Sequence, residues 1–287
     1  MATLRHLVSD ELDTPVDPRV KALAAAIAAR HGEASRAVLF YGSCLRQREL
    51  DGLMLDFYLI VSDYPAAYRR RWLALANRLL PPNVFPFAQG GLAAKYAVLS
   101  EADFRRMNGT GAEDVSVWAR FAQPSRLVWA ADEAARGRTV AAVAEAAPTL
   151  LGYARPMTAD PGDPLAVWRR GFALTYASEL RAERGERPEA IVDADPERYR
   201  LFAAAAGPAR LEEAVRAWKR FRRRGKALTL LRLAKASATF AGGIDYLAWK
   251  INRHAGTRIE VKPWQRRWPL LAGLILLPRL WRRGTIR

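Results

Sequence analysis

The sequence predicts an α/β domain over residues 1–130, a mainly helical domain over 131–262, and a basic amphipathic helix over 263–287. Three observations carry this reading. Short apolar runs rich in β-branched and aromatic residues fall in the first third, between segments of helical period. From Asp132 the apolar residues take up helical spacing. The positive charge is concentrated near the C-terminus. At 287 residues the chain can bury a sizeable core and divide into two domains.

Asp17-Pro18 predicts a capped helix start with proline at the first helical position, and Val20, Leu23, Ala24, Ile27 and Ala28 carry the helix to His31-Gly32. Residues 38–41 have the length and content of a buried strand, which Gly42-Ser43 ends. Residues 57–61 form the next strand, with Asp56 at its leading edge. Residues 65–80 (Tyr68, Trp72, Leu73, Leu75, Ala76, Leu79) read as one helix closed by Pro81-Pro82. A third strand over 94–99 follows Gln89-Gly90-Gly91, and Ser100 opens a helix with Glu101 and Asp103 in its first turn. Residues 115–130 read as a core-packing connection. Helices are then expected over 132–151, 165–183 and 198–206, with an acidic, proline-bounded loop over 188–196. No internal repeat is visible.

Lys and Arg number 46 against 29 Asp and Glu. From Arg210 onward there are 20 basic and 4 acidic residues, so nearly all of the net +17 sits in the last quarter. Such asymmetry points to a polyanionic partner, either nucleic acid or an anionic membrane. Cys44 is the only cysteine, which excludes an intrachain disulfide and fits a reducing compartment. His6, His31 and His254 have no spacing that supplies Cys44 with a catalytic partner, and Cys/His metal sites are excluded by the count. The N-terminal residues contain no apolar core of signal-peptide length.

A strand, a Gly-Ser turn and a carboxylate opening the neighbouring strand suit a phosphate and a metal. Gly42 lets backbone N–H groups approach a triphosphate, Ser43 adds a hydroxyl donor, and Asp56 is placed to hold Mg²⁺ against the phosphates. Lys95 enters an otherwise apolar strand, where it either neutralises charge on a leaving pyrophosphate or guards a sheet edge.

A basic helix is predicted over 211–224, and the run RAWKRFRRRGK over 216–226 has aromatic and arginine residues that suit RNA or an anionic bilayer equally. A helical pattern over 230–254 carries Gly242-Gly243 in its middle. Residues 268–278 are uncharged, but as a helix they span only about 16 Å against roughly 30 Å of hydrocarbon. Trp264, Trp268 and Trp281 at the margins, the pairs Arg266-Arg267 and Arg282-Arg283, and apolar Leu274 and Ile275 predict a monotopic anchor dipping into one leaflet. The alternative is a buried C-terminal helix.

Gly42-Ser43 followed by Asp56 resembles the signature of the nucleotidyltransferase superfamily, with Met54 where that signature usually has its first aspartate. Three patches narrow the likeness to the mitochondrial-type phosphatidate cytidylyltransferases, the translocator assembly and maintenance family. They are Tyr41-Gly42-Ser43 with Met54-Leu55-Asp56-Phe57; Lys95-Tyr96-Ala97-Val98-Leu99 with Asp103-Phe104; and, more loosely, residues 236–243. Residues 131–200 match poorly. The resemblance implies a nucleotidyltransferase fold with a mixed sheet, then a mainly helical domain that is winged-helix-like in the family. It also implies synthesis of CDP-diacylglycerol from CTP and phosphatidic acid at the cytoplasmic face of the cell membrane. In it Tyr41, Gly42 and Ser43 bind CTP, Asp56 with Asp51 or Asp63 binds Mg²⁺, and the catalytic set is Asp56, Lys95 and Asp51. Nucleic acid is not an expected partner. The other readings are a nucleotidyltransferase acting on RNA or another phosphate acceptor, and a catalytically dead membrane-binding homologue.

Overall fold

The alternating runs in the first half of the chain build one sheet. The structure is a computed structural model and describes residues 2–46, 49–179, 188–208, 211–239 and 262–263. Helix α1 (Leu4–Leu12) starts at Thr3, whose hydroxyl accepts from the His6 N–H, and α2 (Pro18–Ala29) starts at Asp17, which accepts from the Arg19 N–H. Strands β1 (Ser35–Tyr41) and β2 (Met54–Val61) pair antiparallel. Helices α3 (Tyr64–Ala67) and α4 (Arg71–Leu79) then lead to β3 (Asn83–Gln89) and β4 (Leu92–Ser100). These two strands form a hairpin around Gly90 and Gly91, which both take positive φ. Helices α5 (Glu101–Asn108) and α6 (Trp118–Phe121) precede β5 (Ser125–Ala130). The strand order is β3-β4-β2-β1-β5, and β2 with β4 is the parallel pair, so the sheet is mixed as expected.

The helical half comprises α7 (Glu133–Ala144), α8 (Ala146–Ala154), α9 (Pro164–Ser178), α10 (Pro188–Asp193), α11 (Pro196–Ala206) and α12 (Ala214–Thr239). Strand alternation divides the sheet's side chains between two cores. Val38, Phe40, Phe57, Leu59, Tyr96 and Val98 face α2 and α3. Leu39, Tyr58, Ile60, Ala97 and Leu99 face the other way, in one continuous cluster with Phe104, Trp118, Trp168, Tyr199 and Trp218. The expected boundary after residue 130 therefore falls between β5 and α7, and a single apolar cluster runs across it.

Several expectations change on contact with the structure. The single helix over 65–80 is two, because Tyr68 leaves helical geometry (φ −128°, ψ 124°) and sinks into the core beside His31 and Phe85. Residues 83–89 form a strand despite Pro86, which the sheet-edge position of β3 tolerates. The connection over 115–130 contains edge strand β5. The helix over 132–151 is two helices meeting at Glu145. Part of the expected loop after 188 is α10, which buries Ile191 and Val192. The separate helices over 211–224 and from 230 are one, α12, running straight through Gly225. There α12 passes so close to α9 that a Cβ would collide with the Ser178 carbonyl.

Candidate functional site

Asp56 is the third residue of β2, not its leading edge, and lies between Tyr41 of β1 and Lys95 of β4 in the hydrogen-bonding register. Because β2 and β4 are parallel and in register, Asp56 and Lys95 point to the same face. The Lys95 Nζ lies 3.0 Å from Asp56 Oδ1, and both side chains remain about a quarter exposed (29% and 22%). Oδ1 itself is shielded from water and accepts no hydrogen bond of good geometry, so its ion pair is its main compensation.

Gly42 follows β1 directly at φ +96°, a conformation that strains any residue with a Cβ. A Cβ at Gly42 would stand 3.3 Å from Asp56 Oδ2. Glycine therefore serves two purposes here: it turns the chain into the short 3₁₀ segment Ser43–Arg46, and it leaves the second Asp56 oxygen uncrowded. Ser43 is exposed beside it. The sequence-predicted Tyr41, Gly42, Ser43, Asp56 and Lys95 are thus brought together by three adjacent strands.

Asp51 and Asp63 are not part of this cluster. Asp51 is exposed and bound to Arg19 at 2.9 Å, and Arg19 also holds Asp17 at the start of α2. Asp63 caps α3, accepting from the Ala66 N–H at 2.8 Å. Strand β2 alone carries the chain about 17 Å from Asp56 to Val61, and Asp63 lies beyond it as the cap of α3, so the two carboxylates sit toward opposite ends of the strand. Among the described residues no three His, Cys, Asp or Glu side chains gather as a metal site. Cys44 is buried and its thiol donates to the Met54 carbonyl at 3.6 Å. Burial first, and then Asp56, pushes that thiol's pKa up, which is the wrong direction for a nucleophile.

The site has a polar floor that the sequence reading missed. Arg120 of α6 lies against the phenols of Tyr41 and Tyr58, donates to Glu179 at 3.2 Å, and donates to the Ser116 carbonyl. Burial opposes its charge, but Glu179, Tyr58 and Tyr41 together outweigh burial and hold it protonated. Burial, followed by Asp56, pushes the Tyr41 phenol well above its ordinary range. From Ser116 the network continues into α12: Arg232 reaches the Ser116 hydroxyl (3.3 Å), Asp114 (2.8 Å) and the Pro81 carbonyl (2.7 Å). Lys235 donates to the carbonyls of Leu80 and Pro82 (2.8 Å to the latter).

In the basic stretch, Trp218 and Phe221 are buried in the core, and the Trp218 indole donates to the Tyr153 carbonyl at 2.9 Å. They are packing residues and offer no face for bases to stack on. The membrane candidates Trp264, Arg266, Arg267, Trp268, Leu274, Ile275, Trp281, Arg282 and Arg283, and the 236–243 patch beyond Thr239, lie outside the described residues. Among the described residues no helix is long and apolar enough to cross a membrane.

Fold and site together define an α/β protein whose mixed sheet carries a carboxylate–lysine pair beside a glycine turn. No family model matches the chain, and no curated protein matches it. Among solved structures it is similar to a nucleotidyltransferase-like protein from Exiguobacterium sibiricum 255-15, at 12% identity over 93% of each chain with a TM-score of 0.29.

Proposed function

We propose that this protein is a nucleotidyltransferase that makes CDP-diacylglycerol from CTP and phosphatidic acid at the cytoplasmic face of the cell membrane. The observation that carries the reading is the Asp56–Lys95 pair set against Gly42. Asp56 Oδ2, left uncrowded beside the Gly42 turn while Oδ1 is held by Lys95, suits a divalent ion presented with a polyphosphate. Asp56 is the residue that would hold Mg²⁺. When bound, the ion offsets the charge of the triphosphate and of the pyrophosphate formed from it.

The chain's own groups do the rest. The Gly42-Ser43 turn presents backbone N–H groups and a hydroxyl to the phosphates. An oxygen of the lipid phosphate attacks the α-phosphorus of CTP, and the bond from that phosphorus to the bridging oxygen breaks. Pyrophosphate leaves with the electron pair, and Lys95 stabilises the charge that grows on it. The attacking oxygen is already ionised, so no general base is required. Arg120 and Glu179 hold Tyr41 and so fix the start of the turn. The C-terminal segment 264–287 anchors the enzyme to the bilayer.

The test is pyrophosphate release from CTP with Mg²⁺ and phosphatidic acid vesicles, beside ATP, GTP and lipid-free controls. Release should need both CTP and the lipid and fall at least about a thousandfold in Asp56→Ala. Release that survives Asp56→Ala would remove Asp56 from the site, and release without lipid would identify another acceptor.

A further inference from the structure

Helix α4 turns an apolar face to solvent. Trp72, Leu75 and Leu79 are 47%, 57% and 74% exposed, and their spacing places them along one side of the helix. The other large exposed apolar side chains among the described residues are scattered over α11 and α12. The opposite side of α4 is firmly held. Leu73 and Ala74 pack on the sheet, and Asn77, fully buried, donates to the Val98 carbonyl at 2.9 Å and accepts from the Asn83 N–H. The orientation of the exposed face is therefore fixed by the core behind it.

The charges around this face have one sign. Arg69, Arg70, Arg71 and Arg78 are all exposed and make no ion pair with a described carboxylate, and no acidic residue occurs between Asp63 and Glu101. Three of these arginines crowd the N-terminal end of α4, where the helix dipole disfavours cations. A local rule broken without an internal compensation points to an external anion.

We propose that α4 docks on an anionic lipid bilayer, with Trp72, Leu75 and Leu79 entering the boundary between headgroups and acyl chains. Arg69, Arg70, Arg71 and Arg78 meet the lipid phosphates around them. A bilayer fits better than a protein groove because the apolar stripe is short and convex and its rim is wholly cationic. Lys235 fastens α12 to the turn just after α4. The inference deepens the membrane-surface reading and rests on it for the bilayer as the place of reaction.

The experiment uses the full chain with Cys44→Ser and a polarity-sensitive fluorophore on Leu79→Cys. Vesicles of phosphatidylcholine, with and without phosphatidylglycerol, are added, and the same label on Leu201→Cys of α11 is the control. Emission at position 79 should shift to the blue with anionic vesicles alone and revert in high salt, while position 201 stays unchanged. The surface variant Leu75→Glu/Leu79→Glu should weaken vesicle co-sedimentation about tenfold or more. Two results would overturn the proposal. One is an unshifted label on protein that still co-sediments; the other is a label already in an apolar setting without vesicles, meaning the face is covered by this chain or a second copy. Pyrophosphate release with detergent-dispersed phosphatidic acid separates the two readings. The α4 variant should retain it; its absence in the unaltered protein would remove the reaction and leave the docking surface standing.

Discussion

Gly42 shows how one residue can be both a fold requirement and a site requirement. Its positive φ starts the turn after β1, and its missing Cβ keeps Asp56 Oδ2 open. Gly42→Ala should therefore cost about 1–2 kcal/mol of stability from backbone strain alone. It should also weaken CTP binding in Mg²⁺ about tenfold or more, read by urea unfolding and nucleotide titration on the same preparation. Unchanged nucleotide affinity in a destabilised variant would reduce Gly42 to a structural role. Gly42, Asp56 and Lys95 were legible in the sequence because each interrupts an apolar strand pattern where nothing in the core calls for it. Arg120 was not legible. It lies in a run of buried residues and its carboxylate partner is 59 residues away, so only tertiary packing reveals that its charge is internal.

At the scale of elements, the buried strands β1, β2 and β4 and the capped helix α2 were read correctly, while the long helical stretches over 65–80 and 132–151 each proved to be two helices. Helix α2 announced itself with Asp17-Pro18, whereas β3 was hidden by Pro86 and α1 by a stretch weighed only as a presequence. The two-helix reading of the basic region left 225–229 unassigned, while in the fold Gly225 is the point where α12 passes α9. Helix α12 is held at its far end by Lys235, whose ammonium is buried on the carbonyls of Leu80 and Pro82. Burial first, and the nearby Arg232 next, lower its pKa to about 7. In the unfolded chain this lysine keeps its ordinary pKa, so above pH 7 the unfolded state binds the extra proton and stability rises with pH toward 10.5. The contribution is a gain of about 2 kcal/mol between pH 7 and 9. Lys235→Met should lower stability overall yet flatten this slope, as denaturant unfolding at the two pH values would show. A slope identical to that of the unaltered protein would mean Lys235 is not the titrating group.

At the scale of the whole molecule, the two faces of the sheet have different tasks. One is closed by α2 and α3; the other carries Asp56 and Lys95 and merges with the helical half through a shared core and a network of hydrogen bonds and ion pairs from Arg120 to Arg232. The sequence signalled the basic C-terminal quarter, but not that its tryptophan and phenylalanine at 218 and 221 are core residues, since interleaved arginines look the same on a buried helix and on a stacking surface. The central claim is that Asp56, set beside Gly42 and Lys95, is the metal and nucleotide site. Calorimetric titration of the full chain with CTP, with and without Mg²⁺, for the unaltered protein and Asp56→Asn, tests it most directly. The account predicts binding that requires Mg²⁺ and weakens about tenfold or more in Asp56→Asn while the melting temperature holds or rises. Equal binding by the two proteins, or no Mg²⁺-dependent binding by either, would contradict it.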